Sequence, residues 1–131
     1  MMTISCGIDT VQVQRFQSFC TYRAVCLQRA FSHDEIAYCV GYPRKSAERF
    51  AARFAVKEAF YKALCQLLPD RRFAFFRTCQ CCQIIDGAPP KLKVDWQALG
   101  LKEVFDDYPQ VCFSLSHTTD HAVALVLLQK I

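Results

Sequence analysis

The stretch "RFAVKEAFYKAL", Arg53 to Leu64, decides how this 131-residue chain is read. Its residues are good helix formers and mostly apolar, the composition of a helix buried inside a domain. Yet Lys57, Glu58 and Lys62 stand in its middle. A buried carboxylate is costly unless it is paired or bound to a metal. Phe54, Glu58, Tyr61 and Cys65 are spaced three or four apart, so they share one helix face and Glu58 points along a mainly apolar side. Lys62, one turn on, offers an i,i+4 ion pair worth only about a few tenths of a kcal/mol. A second carboxylate offers another account.

That carboxylate is Asp9. Thr3 to Ile8 alternate, with Ile4, Cys6 and Ile8 on one side, as in a short strand ending at Asp9. From Val11 the spacing turns helical, and Val13, Phe16, Phe19 and Cys20 can share a stripe. Asp9 is therefore expected at a strand-to-helix junction, where backbone donors are open and a side chain is exposed. There it can cap the helix or, with Glu58 and waters, bind a hard cation; the two roles are compatible. Magnesium suits the pair, because it takes one or two carboxylates plus substrate phosphates.

The long helix is expected to start at a Ser46 cap, with Glu48 in its favourable first turn, and to reach Leu68, where Pro69 stops it. "SHDE", Ser32 to Glu35, is a capping box for a shorter helix ending near Gly41. "FFRTCQCCQII" has strand character, "DGAPP" is a turn, and "KLKVDWQAL" mixes a strand with a short helical piece. "VCFSLS" alternates Val111, Phe113 and Leu115 against Cys112, Ser114 and Ser116. "HAVALVLL" is a near-continuous apolar strand joined to it by "HTTD", which predicts a terminal hairpin. The class is α+β, an antiparallel sheet packed on a long central helix, with the first strand joining the later sheet.

Length and composition set the frame. Residues 1–131 suit one domain, and 53% apolar residues with eleven Phe supply a real core. No apolar run reaches the roughly 18 residues of a membrane span, and "MMTISCGID" lacks a secretory signal. A soluble, cytoplasmic chain is expected. Nine cysteines, an odd number, fit reduced thiols better than a disulfide scaffold. Cys79 and Cys82 form a lone CxxC without a second pair, so small buried hydrophobes is the favoured role of Cys79, Cys81 and Cys82. The net charge of +4 is uneven. Arg44, Lys45, Arg49, Arg53, Lys57 and Lys62 crowd the middle, which favours an anionic partner.

"GID" at Gly7 to Asp9, "RFAVKEAFYKAL" and the terminal "SLSHTTDHAVALVLL" resemble, in order and spacing, three signatures of the holo-acyl-carrier-protein synthases, the short 4'-phosphopantetheinyl transferases. "DGAPPKL" is similar to that family's G-K-P turn through Gly87 and Pro89. The resemblance implies the phosphopantetheinyl transferase fold and a place in fatty acid biosynthesis. The reaction it implies moves the 4'-phosphopantetheine arm of coenzyme A to a serine of apo-acyl carrier protein, releasing adenosine 3',5'-bisphosphate. It implies Mg2+ held by Asp9 and Glu58, Lys62 on the diphosphate, Arg53 and His117 near the nucleotide phosphates, and Pro89 near the adenine. Metal and lysine together would offset charge on the transferring oxygens. Glu58, directly or through a water, is the candidate base for the carrier serine, and Lys62 shares the catalytic role. Arg15 matches an arginine that meets acidic carrier protein, and a homotrimer is the implied assembly. The chain departs from the pattern in two places. Leu67, Leu68 and Pro69 replace a glycine-rich turn, and Ala88 stands where lysine is common.

Two rivals are weaker. Ser116 and His117 are adjacent strand residues on opposite faces, which a hydrolase triad with Asp120 cannot readily use. A basic RNA-binding module would stack bases on aromatics, but those aromatics lie in apolar runs such as "FAFF", where core packing is the plainer role. No nucleic acid or membrane partner is expected.

Overall fold

The computed structural model describes residues 2–131. In chain order the elements are strand β1 (Thr3–Gln12), helices α1 (Ala24–Leu27), α2 (His33–Val40), α3 (Ser46–Leu67) and α4 (Phe75–Gln80), then strands β2 (Cys82–Ile85), β3 (Lys91–Val94), β4 (Gln110–His117) and β5 (His121–Lys130). Helix α3 is covered on most of its circumference: Phe50, Ala55, Val56, Phe60, Ala63 and Leu64 are all fully buried. The antiparallel sheet, in the order β1-β5-β4, packs along it, and the β2-β3 ribbon forms a separate sheet. The expected α+β arrangement, the β4-β5 hairpin and the joining of the first strand to the later sheet are all present.

Strand β1 meets α3 through small and polar residues. Its inward side is Ser5, Gly7, Asp9 and Val11, while Ile4, Cys6 and Ile8 face away from the helix. Ser5 Oγ donates to the Ala63 carbonyl at 2.8 Å, and a Cβ on Gly7 would collide with the Ala59 carbonyl. The "GID" glycine thus lets strand and helix backbones touch, and so sets the distance from Asp9 to α3.

Four local expectations are corrected. Strand β1 runs on to Gln12, because all ten of its residues pair with β5, so Asp9 lies inside the strand opposite Ala124 and not at its end. The chain beyond it makes short 3₁₀ turns at Val13–Phe16 and Phe19–Thr21 instead of a regular helix. "FFRTCQ" is helix α4, and only Cys82 onward is strand. Ser46 does not cap α3: it is the helix's first residue, and its hydroxyl is buried without a partner. The Ser32 capping box is formed as read, with Gly41 following α2. Among the described residues no helix is long and apolar enough to cross a membrane.

The charge that α3 buries is Lys57, not Glu58. Lys57 is 0% exposed, and its ammonium lies 2.8 Å from Glu35 Oε1. It also donates to the carbonyls of Ala30 (2.7 Å), Cys79 (2.9 Å) and Cys82 (2.8 Å). Three N–H donors therefore face four acceptors, and the cation is fully satisfied. Glu35 in turn accepts the Ser32 and Ile84 amides. Removing one partner of such a pair strands the other charge. Lys57→Met, which keeps the bulk of the chain, is expected to cost about 3–5 kcal/mol in urea unfolding; a loss below about 1 kcal/mol would mean that the node is not load-carrying in the folded state.

Candidate active site

The stripe Phe54, Glu58, Tyr61 and Cys65 is half-buried along its whole length, a seam between the buried faces of α3 and solvent. Glu58 opens there toward β1. Asp9, 9% exposed, projects from the inner side of β1 into the same place. Lys62 closes the group: its ammonium donates to Asp9 Oδ1 at 3.0 Å and to the Ile8 carbonyl at 3.0 Å. Lys62 therefore pairs with Asp9 and not, as an intrahelical account supposed, with Glu58.

The two carboxyls perturb each other. Glu58 is pushed up to about 7 from an ordinary 4.5, first by burial and then by the adjacent Asp9 carboxyl; Arg15 and Lys62 oppose the rise. Asp9 Oδ2 is buried and has no hydrogen-bond partner. Two adjacent carboxyls, one raised and one with an orphaned oxygen, are a donor set that a hard cation fits. No group of three or more His, Cys, Asp or Glu side chains gathers for a metal among the described residues.

Arg15 belongs to this end of the molecule. It is exposed on the first 3₁₀ turn, with its guanidinium carbon 5.7 Å from the Phe16 ring centre and 5.9 Å from that of Phe54. Beside Phe54 is an apolar hollow of about 280 Å3 walled by Phe19, Tyr22, Leu27, Phe31 and Phe76, with Arg29 at its rim.

A second cleft, of about 280 Å3, lies between α2, α3 and the end of β4, and it brings Arg53 and His117 together. Arg53 is 6% exposed; its Nη2 donates to Asp86 Oδ1 at 3.0 Å, and its Nε is buried without a partner. His117 Nδ1 lies 3.9 Å from Glu48 Oε2. Pro89 does not line this cleft. It is exposed on the turn after β2, whose Asp86, three residues before it, pairs with Arg53. Lys45, Arg49 and Tyr38 do line it; the two cations belong to the basic crowd seen in the sequence, whereas nothing there singled out Tyr38. The cysteines of "CQCC" are buried, and burial pushes Cys79 and Cys82 up to about 12, which leaves them unreactive thiols.

A profile of the 4'-phosphopantetheinyl transferase superfamily matches residues 5–126. The chain is 35% identical over 135 residues to a holo-[acyl-carrier-protein] synthase of Geotalea daltonii, covering 98% of this chain and 100% of that one. It is 39% identical over 136 residues to the synthase of Trichlorobacter lovleyi, covering 98% of each. The fold matches the Chronobacterium ammoniagenes ACPS-CoA complex with a TM-score of 0.79 at 24% identity, over 96% of both chains. The chain belongs to the 4'-phosphopantetheinyl transferase superfamily, and it is a transferase enzyme. Its curated relatives are, in particular, holo-[acyl-carrier-protein] synthases.

The raised Glu58 pKa carries a sign. A carboxyl raised on folding adds stability that is full below its ordinary 4.5 and is lost as pH rises through about 7. In chelator-treated protein, the melting temperature of the wild type is expected to fall from pH 5 to pH 8 more steeply than that of Glu58→Gln. Equal slopes would remove the carboxyl pair as the cause. Divalent-ion affinity is expected to rise over the same interval, as the proton leaves.

Proposed function

We propose that the chain moves the 4'-phosphopantetheine arm of coenzyme A onto a serine of an apo-acyl carrier protein, releases adenosine 3',5'-bisphosphate, depends on Mg2+, and serves fatty acid biosynthesis in the cytoplasm. The observation that carries this is the convergence of Asp9 and Glu58, from distant segments, beside a lysine with donor capacity to spare. The names of the relatives point the same way.

Asp9 and Glu58 would hold the ion, which when bound supplies positive charge to the coenzyme A diphosphate. Lys62 spends two N–H groups on Asp9 and Ile8, and its third remains for a phosphate oxygen. Arg53 and His117 would take the nucleotide phosphates in their common cleft. In the transfer, the serine oxygen forms the new P–O bond as the bond to the nucleotide bisphosphate breaks. The serine proton goes to the Glu58 carboxylate, directly or through a water; because a carboxylate that holds a cation is a weakened base, a neighbouring water is the rival acceptor.

For the carrier protein, Arg15 and Arg29 flank the apolar hollow beside Phe54. That combination suits an acidic, amphipathic segment whose apolar side chain enters the hollow while its carboxylates meet the guanidiniums. For assembly, the homotrimer is supported by the outward side of the sheet, where Ile4 (57% exposed), Ile8 (62%), Val123 (40%) and Leu125 (38%) stand uncovered.

Incubation with coenzyme A, Mg2+ and apo-acyl carrier protein is expected to raise the carrier's mass by one phosphopantetheine; no gain with well-folded protein overturns the proposal. Glu58→Ala is expected to lower kcat at least about 100-fold while the circular dichroism spectrum stays unchanged. Arg15→Glu is expected chiefly to raise KM for the carrier protein and to flatten its dependence on salt. An unaltered KM would take Arg15 out of the interface.

A further inference from the structure

The nucleotide cleft holds more cationic groups than the two residues assigned to it. Arg49 and Arg53 stand one turn apart on α3, an arrangement in which like charges repel. Both lie over one aromatic ring, that of Tyr38 on α2, at 4.1 Å and 4.0 Å from its centre. Arg49 Nη1 also donates to the Tyr38 carbonyl at 2.8 Å. The ring and carbonyl of one residue thus fix the Arg49 guanidinium, and the same ring contacts that of Arg53.

The ion pairs of the cleft are unevenly shared. Lys45 has Glu48 at 3.4 Å, and Arg53 has Asp86 at 3.0 Å. Arg49 has no carboxylate within ion-pair distance among the described residues. Arg53 keeps one buried donor, Nε, without a partner. Ala52, between the two arginines in sequence, is the small residue of the lining. Two guanidiniums held on one ring in one cleft, one lacking an anion and one with an orphaned N–H, suit a phosphomonoester dianion.

We propose that Arg49 is a further phosphate-binding residue of this cleft and that Tyr38 is the positioning residue which holds Arg49 and Arg53 there for the ribose phosphomonoester of coenzyme A; this rests on the coenzyme A reading given above. The test compares transfer from coenzyme A with transfer from dephospho-coenzyme A, which lacks only that phosphate, and titrates adenosine 3',5'-bisphosphate into the same proteins by calorimetry. Arg49→Gln and Tyr38→Leu are each expected to raise KM for coenzyme A about tenfold, the loss of one charge-assisted contact. Under the proposal kcat moves little, KM for dephospho-coenzyme A moves far less, and bisphosphate binding weakens by the same factor. Tyr38→Phe keeps the ring face and is expected to restore both constants.

A rise shared equally by the two donors, or absent for both, overturns the proposal, because a merely structural loss does not distinguish them. If the wild type transfers from neither donor, it is the transferase reading that fails. The bisphosphate titration then decides: about tenfold weaker binding in Arg49→Gln sustains the clamp, and unchanged binding overturns it.

Discussion

The arrangement of the whole domain turns on one buried cation. The Lys57 ammonium gathers the carbonyl of Ala30, the carboxylate of Glu35 and the carbonyls of Cys79 and Cys82, which belong to three different parts of the chain. Taking an ammonium out of water is unfavourable on its own, so the pair is not a simple source of stability. What it enforces is geometry. With Lys57 pinned on one side of α3 and Gly7 pressed against Ala59 on another, the helix can neither rotate nor shift along the sheet without stranding a charge or creating a clash. The next residue, Glu58, is about 100° further round the helix, and that angle delivers it to Asp9.

One helix thereby presents its charges to three different environments. Lys57 faces a dry interior, Glu58 and Lys62 face the seam with β1, and Arg49 and Arg53 face the cleft against α2 and β4. The separation matters for chemistry. Carboxyls that would share a cation on the proposed reading are kept beside each other and close to a single lysine, whereas the guanidiniums lie about one and a half to three and a half turns away along the same helix. A ligand with a diphosphate at one end and a phosphomonoester at the other can use both places, because a helix fixes the span between them better than a loop would.

What could be read from the chain follows how local each cause is. The Ser32 capping box, the terminal hairpin and the length of α3 are encoded within a few residues of themselves, and they stand as read. The pairing of Asp9 with Glu58 was reachable from their motifs together. The burial of Lys57 was not, since its carbonyl partners lie 22 to 27 residues away and a backbone oxygen leaves no signature in the sequence. The last turn of α4, a segment that reads as strand, presents the Cys79 carbonyl to the same ammonium. Strand β1 outran its expected end because β5 offered ten partners, a tertiary cause that overrode the helical spacing after Val11. Its inward side misleads too, since Ser5 and Gly7 are buried while Ile4 and Ile8 stand in solvent.

The two departures from the family pattern now have physical counterparts. Where a glycine-rich turn is usual, α3 ends as Leu68 donates to the Leu64 carbonyl, and Leu67 and Leu68 pack against the core, so the helix stops by burying leucines and not by turning on glycine. Where a lysine is common in the β2-β3 turn, Ala88 brings no charge, and the turn's ionic contact is instead Asp86, which reaches back to Arg53. That carboxylate offsets part of the positive charge an anion would meet there. Arg49 returns a cation to the cleft from the helix side, on a rigid element and braced by Tyr38. On the proposed reading, the positive charge offered to the nucleotide comes from α3 and not from the turn, on the same helix that carries Glu58.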